Sequence, residues 1–148
     1  MRAVVQRVRE ASVSVDEITV GRIDTGLLVF LGVEEGDGRA DADYIAGKVT
    51  GLRVIDDADG VPNLSVAEAG GSVLLVSQFT LCADARHGKR PSYSGAARPE
   101  AAIPLYEYCA GEIGRSVRVE TGRFQAYMQV ALVNDGPHTI LLDSRRTF

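Results

Sequence analysis

The segment from Ser72 to Tyr93 constrains the fold of this chain more than any other. It opens with a run of apolar residues, Val73 to Val76, which is typical of a strand that is covered on both faces. At Ser77 and Gln78 the run changes to side chains that can hydrogen-bond. A buried strand that ends in polar groups presents them at the rim of a cleft. We therefore predict a binding site where this strand ends, and we expect the chain to leave the sheet after Cys82.

The loop that follows the predicted strand is basic. Four basic residues and one acidic residue lie between positions 82 and 98, and the basic ones include Arg86, Lys89 and Arg90. The whole chain, in contrast, has a net charge of −4, which argues against a protein that coats nucleic acid with a broad basic face. A polar strand end beside a small cationic loop indicates a site for an anionic ligand that carries phosphate.

Hydrophobic periodicity predicts many strands and two helices. Apolar residues recur at helical spacing over 39–52 and again from Pro99 to Ile113, where Gly114 ends the second helix. Two helices are too few for repeated βαβ crossovers. We therefore predict a single α+β domain over residues 1–148, in which a mostly antiparallel or mixed β-sheet curls into a barrel-like core with the helices outside. The predicted strands are 3–8, 11–15, 18–23, 26–33, 53–55, 72–82, 117–121, 127–133 and 139–142.

The cysteine count and the apolar runs limit the class of protein. Cys82 and Cys109 are too few for a disulfide framework, and no Cys/His cluster has the spacing of zinc ligands. We predict neither a metal nor another cofactor. No apolar run reaches the roughly 18 residues of a membrane span, and the N-terminus lacks the apolar region of a signal peptide. We therefore expect a cytoplasmic protein without a membrane partner.

The usual catalytic constellations are absent from the sequence. His87 lies in the basic loop and His138 follows Pro137, and neither has a neighbouring serine or cysteine in a nucleophile-elbow pattern. Thr80 is a candidate nucleophile, but an activated hydroxyl needs an adjacent base and the local sequence offers none. Two interpretations of Thr80 stay open, a β-branched strand residue or a contact to substrate.

A second unusual segment is Asn134-Asp135-Gly136-Pro137-His138-Thr139. Its residue types predict a turn that joins two strands. A cis bond before Pro137, a form found in about 5% of such bonds, would point two successive carbonyl groups the same way. Two oriented acceptors of this kind could bind an ammonium group without a charged side chain.

The two segments together resemble the paired signature of the D-aminoacyl-tRNA deacylases. The resemblance rests on SQFTL at 77–81 and NDGPxT at 134–139. It extends over the whole chain through MRAVVQRV and ASV, GLLVFLGV, the 40–52 helix, GKRPSY and VETGRF. Each motif alone is weak, but their order and spacing make the resemblance specific.

The resemblance implies hydrolysis of the ester bond of D-aminoacyl-tRNA by a homodimer, which releases the amino acid and free tRNA. Gly136 and Pro137 of one subunit, joined in cis, would reach the pocket of the partner and act as the chiral selector. Their carbonyl groups would bind the substrate α-amino group and leave no room for an L side chain. Glycine could enter such a pocket, so the implied partners are tRNAs charged with a D-amino acid or with glycine.

The resemblance also implies which residues act on the ester. Ser77, Gln78, Phe79 and Thr80 are the implied catalytic segment that lines it, and the backbone N–H groups near Phe79 and Thr80 are suited to an oxyanion. In this family the reaction has no obligatory protein nucleophile, and the ribose 2′-hydroxyl assists water.

Further positions are implied to bind the tRNA. Phe124 and Met128 match positions that pack on the terminal adenosine. Arg86, Lys89 and Arg90 would contact phosphates of the acceptor stem.

The sequence departs from the family pattern at two places. Gln125-Ala126-Tyr127 stands where Gly-Ala-Asp is usual, and His138 stands where valine is usual. Two alternatives to the deacylase remain open. One is a nucleic-acid-binding module without catalysis, which the basic loop motivates. The other is a dimeric scaffold in which 77–81 is a core strand and 134–137 a hairpin.

Overall fold

A six-stranded sheet, a two-stranded sheet and two helices make up the protein, and a computed structural model describes all of residues 1–148. The helices are α1 (Arg39–Gly51) and α2 (Pro99–Gly114), and a 3-10 turn spans Phe79–Cys82. The strands are β1 (Arg2–Val15), β2 (Ile18–Ile23), β3 (Gly26–Gly32), β4 (Ile55–Asp56), β5 (Pro62–Leu64), β6 (Ser72–Ser77), β7 (Arg118–Thr121) and β8 (Gln129–Asp143).

The main sheet is mixed and nearly closes into a barrel. Its strand order is β2-β1-β3-β6-β7, and β8 pairs with β1. The pairs β3 with β6 and β6 with β7 are parallel, and the remaining pairs are antiparallel. The two ends of this order approach each other, because a Cβ on Gly21 of β2 would lie 2.6 Å from the carbonyl oxygen of Thr121 in β7. The predicted α+β class with a barrel-like mixed sheet is confirmed.

Burial on both faces explains the continuous apolar runs of β3 and β6. Side chains alternate across a strand, so Leu27 and Val29 point to the core beneath the helices, whereas Leu28 and Leu74 point to a smaller core inside the curled sheet. The two helices pack together over the first core. Their predicted ranges are confirmed within a residue, although the buried residues of α2 are Ala102, Tyr106, Cys109 and Ile113. Ile103 and Ala110, which belong to the apolar residues at helical spacing from Pro99 to Ile113, are only half-buried.

The predicted gap between the first two strands is absent. Residues 3–8 and 11–15 belong to one strand, β1, which continues through Arg9 and Glu10. The strand changes its neighbour there: its first half pairs with β3 and its second half with β2. Because β1 keeps β8 as its other neighbour along its length, it does not end where the apolar pattern is interrupted.

The predicted turn at residues 134–139 is also wrong. Both flanking segments belong to β8 and pair with β1 in the same direction, so the chain does not reverse. The register moves from Asn134 opposite Val8 to Thr139 opposite Gln6, which leaves residues 135–138 as a bulge. The side-chain amide of Asn134 closes the bulge, since its Nδ2 donates to the carbonyl oxygens of Arg7 at 2.9 Å and His138 at 3.0 Å.

The strand predicted over 72–82 is shorter in the structure. The strand β6 ends at Ser77, and Phe79–Cys82 form the 3-10 turn instead of a continuation of the sheet. Thr80 is therefore not a strand residue, and its interpretation as one is wrong. No helix of the structure is long and apolar enough to span a bilayer.

Candidate active site

A cleft of about 590 Å³ opens where β6 ends. Most of the residues around it are hydrophobic, and they come from four parts of the chain. The strand ends contribute Leu31, Val33 and Val76, the segment before α2 contributes Ala96 and Ala97, and α2 itself contributes Pro99 and Ala102. The residues before and within β8 form the fourth wall. The sequence predicts a site at this strand end, whereas the small residues from Ala96 to Ala102 carry no chemical signal in the sequence.

The polar strand end forms one side of the cleft. Ser77, Gln78 and Phe79 line it, and Thr80 lies just behind them, with its Oγ1 accepting a short hydrogen bond from Nε2 of Gln78. The backbone N–H of Gln78 donates to Leu31 at 2.8 Å and ties the segment to β3. The first hydrogen bond of the turn runs from Leu81 N–H to the Gln78 carbonyl oxygen at 3.2 Å. The N–H groups of Phe79 and Thr80 come before this first bond, so they have no hydrogen-bond partner within the turn.

An aromatic wall faces this segment. The ring of Phe124 lies edge-to-face on Tyr106, with ring centroids 5.8 Å apart. Tyr106 is fixed in turn because its hydroxyl donates to the carbonyl oxygen of Leu75 at 2.7 Å, and burial raises its pKa. Met128 lines the same cleft and lies over Gly122, where a Cβ would lie 2.7 Å from the Met128 Sδ. Phe124 and Met128 therefore share the cleft with Ser77, Gln78 and Phe79.

No activated nucleophile lines the cleft. Its polar side chains belong to Ser77, Gln78, Gln125 and Tyr127, and no histidine or carboxylate is among them. Cys82 is buried behind the turn, where burial and then the charge of Glu34 raise its pKa to about 11. No group of three or more His, Cys, Asp or Glu side chains is placed to hold a metal ion. The hydroxyl of Ser77 therefore has no histidine or carboxylate beside it in the cleft that could activate it.

Gly136 and Pro137 lie outside the cleft of their own chain. Both are exposed at the bulge of β8, and the peptide bond between them is cis. Gly136 has φ of +122°, a conformation that L side chains rarely adopt. Within one chain the two segments of the resemblance are therefore not brought together.

A residue that the sequence analysis missed supports the bulge from beneath. The side chain of Arg7 is 9% exposed and lies under the bulge. Its Nη1 donates to the carbonyl oxygen of Val54 and to Asp56 Oδ1, both at 2.9 Å. Its Nε donates to the carbonyl oxygen of Asp135 at 3.1 Å. An arginine within the apolar pattern of a buried strand is the signal that could have identified it, since a buried charge requires partners.

The basic loop is exposed, and the surroundings differ among three of its four cations, Arg86, Lys89 and Arg90. Arg86 forms a bidentate pair with Asp84, at 2.9 Å and 2.7 Å, and the hydrogen bonds from Arg86 lower the pKa of that carboxyl. Lys89 and Arg90 are exposed and form no ion pair. Among these three cations, the charge that remains available to a ligand is therefore that of Lys89 and Arg90.

The two departures from the family pattern differ in their setting. Gln125 adopts a left-handed conformation with φ of +61°, and Tyr127 is 86% exposed at the mouth of the cleft. The predicted strand over 127–133 begins only at Gln129, so Tyr127 precedes the sheet. His138 is half-buried, and its carbonyl oxygen is held by Asn134.

The fold and the site define the class of protein: a single α+β domain with a curled mixed sheet and an apolar cleft where a buried strand ends in polar residues. Known proteins of this class are similar to this chain. The family model of the D-Tyr-tRNA(Tyr) deacylases matches residues 4–143. The chain belongs to this family, the D-aminoacyl-tRNA deacylases, and the family's enzymes are hydrolases of aminoacyl-tRNA esters. The resemblance stated from the sequence is thereby confirmed.

Relatives of known sequence and structure agree with this assignment. The D-aminoacyl-tRNA deacylase of Anaeromyxobacter dehalogenans is 59% identical over 149 residues, with 100% of both chains covered. That of Koribacter versatilis is 56% identical with the same coverage. Among solved structures, the c-Myc DNA Unwinding Element Binding Protein superposes with a TM-score of 0.92 at 36% identity, over 97% of this chain and 98% of that one.

Proposed function

We propose that this protein hydrolyses the ester bond of D-aminoacyl-tRNA and of mischarged glycyl-tRNA. The observation that carries the proposal is the convergence of Ser77, Gln78, Phe79, Phe124 and Met128 on one cleft in a chain of the deacylase family. The cleft has the volume of a small-molecule site and is mostly apolar, as expected for a pocket that takes an aminoacylated nucleoside. We place the reaction in the cytoplasm, where charged tRNA is used.

The ester would be activated by backbone groups. The N–H groups of Phe79 and Thr80, which precede the first hydrogen bond of the turn, would donate to the carbonyl oxygen of the ester and stabilise the oxyanion. Gln78 and Thr80 hold each other by a hydrogen bond, which fixes the turn in place. Water is the nucleophile, with the ribose 2′-hydroxyl of the substrate assisting it. The absence of a histidine or carboxylate that could activate Ser77 in the cleft supports this mechanism.

The terminal adenosine would occupy the aromatic wall. Phe124 offers a ring that Tyr106 holds in orientation, and Met128 offers a polarizable thioether beside it. Lys89 and Arg90, together with Arg86, would contact phosphates of the acceptor stem.

Chiral selection would require a second copy of the chain. Gly136 and Pro137 are exposed and lie outside the cleft of their own chain, so they would act on the cleft of a partner. The strand β8 that carries them pairs with β1 alone, which leaves its other edge without a strand partner. Val133 and Leu141 are exposed large apolar residues on the same strand, at 47% and 58%. An open edge with apolar side chains is a surface suited to a second copy.

The competing function is nucleic-acid binding without catalysis. The name of the solved relative, a protein that binds a DNA unwinding element, and the exposed, unpaired Lys89 and Arg90 favour it. It predicts binding that weakens steeply with salt and is indifferent to the aminoacyl group.

Incubation of the protein with D-Tyr-tRNA and L-Tyr-tRNA decides between the two. We expect hydrolysis of D-Tyr-tRNA and of Gly-tRNA, with L-Tyr-tRNA left intact. Equal turnover of the D and L substrates, or of neither, would contradict the proposal. Thr80→Ala should reduce turnover without abolishing it, and complete loss in a folded Thr80→Ala protein would indicate a nucleophile instead. Light scattering should give the mass of a dimer at the assay concentration, and a monomer would remove the proposed selector.

A further inference from the structure

Tyr127 is the most exposed large hydrophobic side chain of the protein, at 86%. It lies at the mouth of the cleft, between Gln125 in its left-handed conformation and the wall residue Met128. Neither packing nor a hydrogen bond to another residue accounts for it. An exposed aromatic ring at a ligand cleft is a candidate for contact with the ligand itself.

A second exposed aromatic group borders the same cleft from a separate part of the chain. Phe79, 58% exposed, lies edge-to-face on Tyr93, 43% exposed, with ring centroids 5.4 Å apart. Phe79 and Tyr127 both line the cleft, so its mouth is aromatic on more than one element. Packing of the two rings on each other holds Phe79 in place, whereas Tyr127 has no such neighbour.

A basic residue lies close in sequence to the unpartnered ring. Arg123 lies four residues before Tyr127, is exposed and forms no ion pair. Exposed aromatic faces beside cations are the pattern by which proteins bind single-stranded nucleic acid, because bases stack on the rings and phosphates meet the charges. A membrane or peptide partner would not explain the continuity of this ring with the cleft wall.

We infer that Tyr127 is a stacking platform for an unpaired nucleobase of the substrate strand, outside the nucleoside that enters the cleft. The inference rests on the proposed function, since it needs an RNA strand that continues beyond the esterified nucleoside. Tyr127 and Arg123 then bind the 3′ strand as a base platform and a phosphate contact. The residue would contribute affinity for the full tRNA and little to the chemical step.

Two substrates separate this role from a role in the cleft wall. D-Tyr-tRNA carries the unpaired 3′ strand, whereas D-tyrosyl-adenosine, esterified on the ribose, ends at the nucleoside in the cleft. Base stacking is worth about 1–3 kcal/mol per base, so Tyr127→Ala should raise the KM for D-Tyr-tRNA by about 5- to 150-fold. The ratio of the two KM values, tRNA over adenosine ester, should rise by at least fivefold. Tyr127→Phe, which keeps the ring, should restore the ratio of the unaltered protein.

Phe148→Ala is the matched control. Phe148 is also an exposed aromatic residue, at 67%, but does not line the cleft, so its removal should leave both KM values unchanged. Because Tyr127 is 86% exposed, its replacement should not impair folding.

Four results would overturn the inference. The first two concern the KM of Tyr127→Ala: an unchanged value for D-Tyr-tRNA, or an equal rise for both substrates. The third is a Tyr127→Phe protein as impaired as Tyr127→Ala. The fourth is loss of the dimer in Tyr127→Ala, measured by light scattering, which would show that the ring contacts the partner subunit. Turnover by the unaltered protein distinguishes the two proposals. If it hydrolyses D-Tyr-tRNA and Tyr127→Ala behaves identically, only the stacking role fails; if it hydrolyses neither substrate, the proposed function fails as well.

Discussion

The guanidinium of Arg7 holds the backbone of Asp135, with Nε donating to the Asp135 carbonyl oxygen at 3.1 Å. Asp135 directly precedes Gly136, and a Cβ on Gly136 would lie 3.0 Å from the Nη2 of Arg7. The nearly buried Arg7 in β1 thus fixes the backbone next to the exposed residues Gly136 and Pro137 in β8. The relationship joins two residues that lie 128 positions apart in the chain.

Replacement of Arg7 by methionine should destabilise the protein by about 2–3 kcal/mol, because two backbone carbonyl oxygens and Asp56 lose a nearly buried donor. Chemical denaturation measures this change. The same variant should hydrolyse D-Tyr-tRNA with reduced preference over L-Tyr-tRNA, since the bulge loses its support. Arg22→Met is the control: its pair with Glu10 is exposed on both sides, so the change should stay within about 0.5 kcal/mol. Equal effects of the two substitutions would contradict the assigned role of Arg7.

Gly122→Ala should impair substrate binding more than folding. The new Cβ would meet the Met128 Sδ at 2.7 Å, and the flexible methionine side chain can move away, but only by leaving its place in the cleft wall. We expect a KM for D-Tyr-tRNA raised about tenfold and a stability change under about 1 kcal/mol. Gly111→Ala is the matched control, because a Cβ at Gly111 in α2 meets nothing within 4 Å. An unchanged KM in Gly122→Ala would show that Met128 does not contact the substrate.

Joint replacement of Lys89 and Arg90 by alanine should weaken binding of tRNA and make it less sensitive to salt. Each lost phosphate contact lowers the slope of log K against log salt by about 0.7–0.9. The slope should therefore fall by between one and two units in filter-binding titrations, with turnover of D-tyrosyl-adenosine unaffected. Lys48→Ala with Arg115→Ala removes the same charge from α1 and from the residue that follows α2, and should leave the slope nearly unchanged. A similar fall in both double variants would assign the effect to net charge instead of to the loop.

Tyr106→Phe should cost about 1 kcal/mol of stability. The variant removes the hydrogen bond from the hydroxyl to the Leu75 carbonyl oxygen, but that oxygen keeps the N–H of Gly122 at 3.1 Å as a partner. The ring remains, so the edge-to-face contact with Phe124 and the activity should survive. Tyr106→Leu removes the ring as well and should raise the KM for D-Tyr-tRNA. Thermal unfolding measures the effect on stability, and steady-state kinetics measures the effect on the KM. An inactive Tyr106→Phe protein would contradict the expectation that the ring alone suffices for activity.

Both thiols should be inert in the folded protein. Burial raises the pKa of Cys82 to about 11 and that of Cys109 to about 12, so almost no thiolate forms near pH 8. Neither cysteine should react with a thiol reagent at pH 8 until denaturant is added, after which both should react. Deacylase activity should persist after prolonged treatment of the native protein. Rapid modification of Cys82 with loss of activity would indicate an exposed thiol behind the turn.

Local patterns in the sequence determined much of this protein. The continuous apolar runs of 26–33 and 73–76 are buried on both faces, the helical spacing over 39–52 and 99–113 forms α1 and α2, and the change at Ser77 marks the cleft. Each of these signals depends on residues within one or two turns of the chain, or on the alternation of a single strand. The order and spacing of the sequence motifs identified the family to which the chain belongs.

Only the tertiary structure decided how distant segments meet. The apolar pattern breaks at Arg9 and at Gly136, yet β1 and β8 both continue there, because each segment keeps the other as its hydrogen-bonded neighbour. The same pairing converts the expected turn at 134–139 into a bulge, supported by Arg7 and Asn134. The wall from Ala96 to Ala102 is formed by packing alone, since small apolar residues carry no mark of the cleft they line. Strand register and side-chain contacts between remote segments are properties of the folded chain, and a pattern read along the sequence contains only half of each pair.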